Sequence, residues 1–280
     1  MFLRVAIISL MLFTSSSAIA ELLPNRIEIN YEQAKNPDHA ELYDLLRERQ
    51  ALEKIQKFLS PFKLPRPLVV RLKGCDGEAD AYYGDDVITI CYEYLVELWK
   101  GIPDNTTPAG ITPVDAIVGP FVDTTLHEFA HALIDMFQMP VLGRLEDAAD
   151  QIAAYIYLRL DESQTRRLIM GTVYTYFLAE SRVQENLSVT HYADEHGTPA
   201  QRAYNLLCMA YGANISKYGD IVSKGYLPQK RAIFCEEEYE QVQDALDILL
   251  LPYVDRALAK EVRSTNWLKQ VDDLLDSNTQ

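Results

Sequence analysis

The chain has 280 residues, of which 41 are acidic and 26 basic, giving a formal charge of -15 at pH 7. That balance argues against a nucleic-acid partner, because binding a polyanion needs a basic face for its phosphates. The hydrophobic content of 48% is that of an ordinary globular protein.

Residues 1–20, "MFLRVAIISLMLFTSSSAIA", read as a signal peptide. Arg4 precedes an apolar run from Val5 to Phe13, and small residues lead to Ala18-Ile19-Ala20, an A-x-A cleavage signature. The run is too short to cross a bilayer, which takes about 20 residues. An uncleaved anchor is the alternative. The mature chain is expected to start at Glu21, to be periplasmic or secreted, and to carry no membrane span. Residues 21–280 then form one catalytic domain, with an α/β lobe over about 21–139 and a helical lobe over about 140–280.

Residues 25–34 alternate apolar and polar side chains, as a half-buried strand does. Over 38–59 the leucines and Ile55 recur at helical spacing, which predicts one helix stopped by Pro61, Pro65 and Pro67. "LVVRL" (68–72) reads as a strand, 73–86 as turns, and "VITICYEY" (87–94) as a second strand passing into a helix through "LVELWK". A loop over 101–113 follows, in which Asn105-Thr106-Thr107 matches the common glycosylation triplet. Gly119-Pro120 suits a helix start, and Pro140 is the latest point at which that helix can end. A helix over 145–160 follows Gly143; Gly197 marks a stop, and Thr198-Pro199 a restart. Strands first and helices afterwards predict an α+β fold. Four cysteines in an exported chain suggest disulfides, and pairing neighbours, Cys75 with Cys91 and Cys208 with Cys235, is the simplest connectivity. Buried free thiols are the other reading.

"HEFAH", residues 127–131, carries the chemistry. On a helix, His127 and His131 project from one face about 6 Å apart, so both imidazoles can bind one zinc ion. Glu128 is turned about 100° from His127, off the metal but within reach of a water beside it. The plain alternative is a pair of core-satisfied histidines flanking an ordinary Glu. A catalytic zinc wants a third protein ligand. Glu146 and Asp150 share one face of the next helix, and five extended residues, 140–144, cover about 16 Å, enough to return Glu146 to His131. Glu146 is the expected ligand, with Asp150 accepting the second N–H of a histidine. Asp150 as the ligand stays open, and Asp147 points about 100° away.

With these residues in view, the chain resembles the gluzincin-type zincin metallopeptidases. His127-Glu128-Phe129-Ala130-His131 followed by Glu146-Asp147-Ala148-Ala149-Asp150 is similar to the HExxH and ExxxD pair of thermolysin-like enzymes. "ITICYEY", "HEFAHALID", "PVLGRLEDAADQIA" and "DEHGTPAQRAYNLLCMAYG" together resemble a family of exported metallopeptidases over most of residues 65–235. Fourteen residues separate His131 from Glu146, fewer than in thermolysin-like enzymes.

The resemblance implies a zincin-like fold: a small N-terminal mixed or antiparallel sheet with an edge strand, an active-site helix, and a mainly helical C-terminal lobe. It implies one zinc ion on His127, His131 and Glu146, Glu128 as general base, Asp150 behind a histidine, and a peptide or protein substrate. Zincins bind substrate along an edge strand, and "DVITICYEY" is either that edge or an internal strand. A downstream histidine and tyrosine stabilise the oxyanion in thermolysin-like enzymes. His196 with Asp194, and Tyr192 or Tyr204, are the counterparts here, although a helix-capping cluster explains them equally. His39 and His191 lack partners in the sequence and are expected at the surface. Two other functions remain: a metal-binding protein without turnover, and a zinc amidase acting on cell-wall peptides. Oligomeric state is left open.

Overall fold

The structure, a computed structural model, describes residues 22–184 and 188–268; the expected signal peptide lies outside them. β1 (Ile27–Tyr31) is followed by α1 (Ala40–Glu48) and α2 (Ala51–Leu59), where one helix is expected from periodicity. The break is at Gln50, held in the left-handed region at φ 52°. Beyond it, the Tyr31 hydroxyl accepts the Leu52 N–H at 2.7 Å and donates to Glu53 at 2.7 Å, satisfying an orphan donor of the new helix. The reorientation lets α2 bury Leu52, Ile55, Phe58 and Leu59, whereas α1 buries none of its residues fully.

β2 (Leu68–Lys73), β3 (Ala81–Gly84) and β4 (Val87–Cys91) complete a mixed sheet of order β1-β2-β4-β3. β1, β2 and β4 run parallel, and β3 is antiparallel to β4. β3 lies in the segment expected to be turns. It joins β4 through Asp85 and Asp86, both at positive φ, as a two-residue hairpin turn matching the strand twist requires. β4 is therefore internal, the second of the two readings of "DVITICYEY"; the free edges belong to β1 and β3. Its burial agrees, because Ile88, Thr89, Ile90 and Cys91 are all inaccessible. A Cys75–Cys91 disulfide ties the loop before β3 to the end of β4.

α3 (Tyr92–Lys100) starts directly at the end of β4, earlier than expected, and buries Tyr92. His39 packs at a tilt against Tyr92 with ring centroids 6.0 Å apart and is 6% exposed, so it belongs to the interior rather than the surface. α4 (Pro113–Phe137) starts well before Gly119-Pro120. Thr112 and Asp115 form a reciprocal capping box with Pro113 in the first turn, and Pro120 sits inside the helix. Gly119 instead serves a helix crossing with α6, the helix after α5 (Leu145–Tyr157) and itself spanning Glu162–Gln184. A Cβ on Gly119 would lie 2.5 Å from the Leu168 carbonyl, and one on Gly171 of α6 1.8 Å from the Asp115 carbonyl. Only glycine at both points lets the two backbones touch.

The remainder is helical: α7 (Pro199–Ala213), α8 (Ile215–Ser223), α9 (Gln229–Ala232), α10 (Cys235–Leu249) and α11 (Arg256–Ser264). α7 restarts after Gly197 as expected, with a Thr198–Gln201 capping box. A Cys208–Cys235 disulfide joins α7 to α10, so both pairs are the sequence neighbours. One apolar cluster packs the sheet against α2, α3, α4 and α5, and a second lies among α6, α7, α8 and α10. α5 contributes to both, Ala153 to the first and Ala154 to the second. Among the described residues no helix is long and apolar enough to cross a membrane.

Candidate metal centre

The second half of α4 is buried nearly all round, with Leu126, Phe129, Ala130, Ala132 and Leu133 almost inaccessible. This packing places His127 and Glu128 in the interior as well, at 4% and 6% exposure. α4 ends at Gln138, left-handed at φ 49°, and Gly143 takes φ 131° before α5 begins. Two such residues in a short loop fold α5 back beside α4, so Glu146, in the first turn of α5, reaches the histidines.

The Nε2 atoms of His127 and His131 are 3.1 Å apart. Glu146 Oε2 lies 2.9 Å from the first and 3.2 Å from the second. Asp150, one turn further along α5, sits behind His127, with its Oδ1 2.8 Å from Nδ1. Glu146 thus stands on the face shared by the imidazoles and Asp150 on the far side of one ring. Asp147 turns outward and pairs with Arg144 at 3.0 Å.

His196 also arrives here, on the loop between a 3-10 turn at Val189–Ala193 and α7, with Nε2 2.9 Å from Glu146 Oε2. Asp194 accepts the His196 backbone N–H at 2.9 Å and lies 3.5 Å from its Nδ1. Of the two tyrosines considered with it, Tyr192 is exposed, and Tyr204 packs edge-on against Phe177 beside the second cluster. His191 caps its own turn, its Nδ1 accepting the Ser188 N–H at 3.0 Å.

Sequence reasoning missed Arg202. From α7 its guanidinium donates to both oxygens of Asp150, at 2.7 and 2.8 Å, and covers the Tyr176 ring at 4.8 Å. Tyr176 donates in turn to buried Asp123 at 2.9 Å. The one signal available was a lone arginine at the head of the apolar stretch "AYNLLCMAYG". Nothing in that stretch points to Asp150, which is 52 residues away.

The electrostatics follow from this packing. Burial disfavours a charged His127, but hydrogen bonds to Asp150 and Glu146 outweigh it and push the ring up to about 9. The same bond from His127 holds Glu146 down to about 2 against the cost of its burial. Burial, then the neighbouring His127 charge, lower His131. Glu128 is pushed up to about 7 by burial; His127 and a hydrogen bond from the Tyr83 backbone N–H act the other way. Tyr83 belongs to β3, so the free-edged strand runs directly past Glu128.

The donor set fits a metal ion. Nitrogen and carboxylate donors at 2.0–2.1 Å around a tetrahedral zinc are separated by about 3.3 Å, and two imidazoles with one carboxylate suit zinc chemically. The spacings of 2.9–3.2 Å among His127, His131 and Glu146 are close to that edge. Among the described residues a second cluster of ligand-type side chains, Cys75, Cys91 and Glu93, has both sulfurs locked in a disulfide. A family model described as Putative metallopeptidase, DUF4344, matches residues 31–250. No curated protein and no solved structure matches the chain.

Proposed function

The chain belongs to the DUF4344 metallopeptidase family, and from that premise we propose that it is an exported, zinc-dependent peptidase acting through Glu128. Peptide-bond hydrolysis with a metal ion is what the family's description states. The assignment to residues rests on one observation above all: the Nε2 atoms of His127 and His131 meet Glu146 Oε2 within 3.2 Å, on a helix that also carries a buried Glu128.

In this reading His127, His131 and Glu146 hold the zinc. A divalent ion bound there supplies Lewis acidity, which acidifies a water and polarises a carbonyl. Glu128 takes the water's proton and returns it to the departing amine. Burial raises the Glu128 carboxyl above the ordinary glutamate range in the metal-free centre, which favours its holding the proton between the two transfers. Asp150 accepts the His127 Nδ1–H and turns Nε2 toward Glu146.

Substrate is a peptide in extended form, added to the outer edge of β3. Backbone hydrogen bonding along a strand edge gives affinity with little sequence preference. β3 packs against α4 beside Glu128, so a chain laid along its outer edge passes the base. Export is supported by the leader-like residues 1–20 and by two disulfides, which persist in oxidising compartments.

The test is metal content by mass spectrometry on wild type and His127→Ala, together with peptide hydrolysis by wild type and Glu128→Gln. One zinc per chain, lost in His127→Ala, and hydrolysis lost in Glu128→Gln with zinc retained are expected. Zinc absent from wild type overturns the reading; full hydrolysis by Glu128→Gln overturns the role of Glu128.

A further inference from the structure

α1 has an apolar face without a finished partner. Leu42, Leu45 and Leu46 share one side of it at helical spacing, yet no residue of the helix is fully buried. These leucines wall a cleft of about 730 Å³, closed on the other side by Trp99 of α3 and by Ile117 and Phe121 in the first half of α4. Leu42, Leu46, Ile117 and Phe121 are only partly buried, and Trp99 is 56% exposed. So much apolar surface facing one water-filled space is unfavourable and marks a binding site. The volume lies within the about 300–1,000 Å³ of small-molecule sites, which are mostly apolar with a few placed polar groups.

The polar groups here are cations. Arg49, which follows α1, and Lys54 of α2 both line the cleft. Arg49 Nη1 is buried and has no hydrogen-bond partner among the described residues, a costly condition for a guanidinium nitrogen. Lys54 Nζ donates to the Arg49 carbonyl, which leaves that nitrogen unanswered. Burial, then the neighbouring Arg49 charge, lower the Lys54 ammonium from its ordinary value. Glu41 and Asp104 also line the cleft, but neither carboxylate reaches Arg49 Nη1. The acceptor this nitrogen lacks has to come from inside the cleft, and a slender chain ending in an anion supplies it.

We propose that the cleft binds one long-chain monocarboxylate, its acyl chain between α1 and α4 and its carboxylate on Arg49 and Lys54. The apolar walls select the chain, and the two cations select the charged head. This site is separate from the metal centre. Its α4 residues run from Pro113 to Val122, ahead of His127, so the proposal stands whether or not a metal binds there.

The chain's two tryptophans, Trp99 and Trp267, both line the cleft and report on its contents without a label. The probes are ω-bromododecanoate and the matching ω-bromododecanol, whose bromine quenches an indole that it approaches. Saturable quenching by the carboxylate, at about tenfold lower concentration than by the alcohol, is expected of the wild type. In Arg49→Gln that preference should disappear while the alcohol binds as before, which shows that the cleft is still formed. Arg49→Lys, which keeps a cation, should restore most of the preference. Absence of saturable quenching in the wild type would overturn the proposal and leave the cleft to a partner helix or a second copy of the chain. Equal binding of acid and alcohol by the wild type, or an undiminished preference in Arg49→Gln, would overturn the carboxylate site.

Discussion

Arg202 holds both carboxylate oxygens of Asp150, at 2.7 and 2.8 Å, and so stands two bonds behind the His127 imidazole. A buried carboxylate would rather be neutral; His127 and Arg202 together overcome that and keep Asp150 well below the usual range. Arg202→Lys removes the forked geometry but keeps the charge. It is expected to lower zinc affinity about tenfold, the size of effect seen when the partner of a metal ligand is disturbed, and Arg202→Ala to lower it further. Chelator competition on the two variants measures this, and wild-type affinity in both would detach Arg202 from the centre.

His127 competes with itself, as ligand and as base. With its pKa raised to about 9, the ring is protonated in the metal-free protein at pH 7.5, whereas His131, shifted the other way, is neutral. Binding zinc therefore releases about one proton, and affinity falls about tenfold for each pH unit below 9. Titration calorimetry in buffers of different ionisation enthalpy counts the proton. Asp150→Asn removes a main cause of the raised value and should reduce the release.

Glu128 trades stability for function. Its folded value, about 7, lies above the roughly 4.3 of an unfolded glutamate. Between those values the folded state binds a proton that the unfolded chain has lost, so stability falls as pH rises through the window. Glu128→Gln should therefore raise the melting temperature of metal-free protein at pH 8 and leave it nearly unchanged at pH 4.3, each kcal/mol being worth about 2–4 °C. Hydrolysis should drop about 10²–10⁴-fold in the same variant. Equal melting temperatures at both pH values would contradict the burial argument.

Two glycine-to-alanine changes should move stability in opposite directions. In α8, Gly219 has open space where a Cβ would go, and alanine there should gain up to about 1 kcal/mol from helix propensity. At Gly171 the added atom would sit 1.8 Å from the Asp115 carbonyl, a backbone atom that cannot step aside. α4 and α6 must separate, at a cost of about 1–3 kcal/mol. Urea unfolding of both variants compares them directly, and a stabilised Gly171→Ala would mean that the crossing is looser than described.

Much of the fold was legible locally. β1, β2 and α5 follow from the spacing of their apolar residues, and α7 from Gly197 and the Thr198-Pro199 start. The two disulfides join sequence neighbours, as the simplest pairing expects. The misreadings have physical causes. β3 is only four residues long and exists through its pairing with β4, so it has no periodicity of its own to display. Gly119-Pro120 looked like a helix start because Pro is costly inside a helix. The stronger signal was the capping box of Thr112 and Asp115, and Gly119 is needed for the contact with α6. His39 looked solitary because its neighbour Tyr92 lies far along the chain.

What the sequence determined by itself is what helical geometry enforces within one element. His127 and His131 share a face, Glu128 does not, and Glu146 and Asp150 share a face of the next helix. What only the tertiary structure decided is everything that crosses between elements: that Glu146 rather than Asp150 meets the two imidazoles, that Arg202 stands behind Asp150, that β3 is the free edge beside Glu128, and that His196 comes to 2.9 Å from Glu146. The division has one cause. A helix repeats every 3.6 residues whatever surrounds it, whereas the meeting of distant segments depends on loop conformation and on which packed arrangement buries the core.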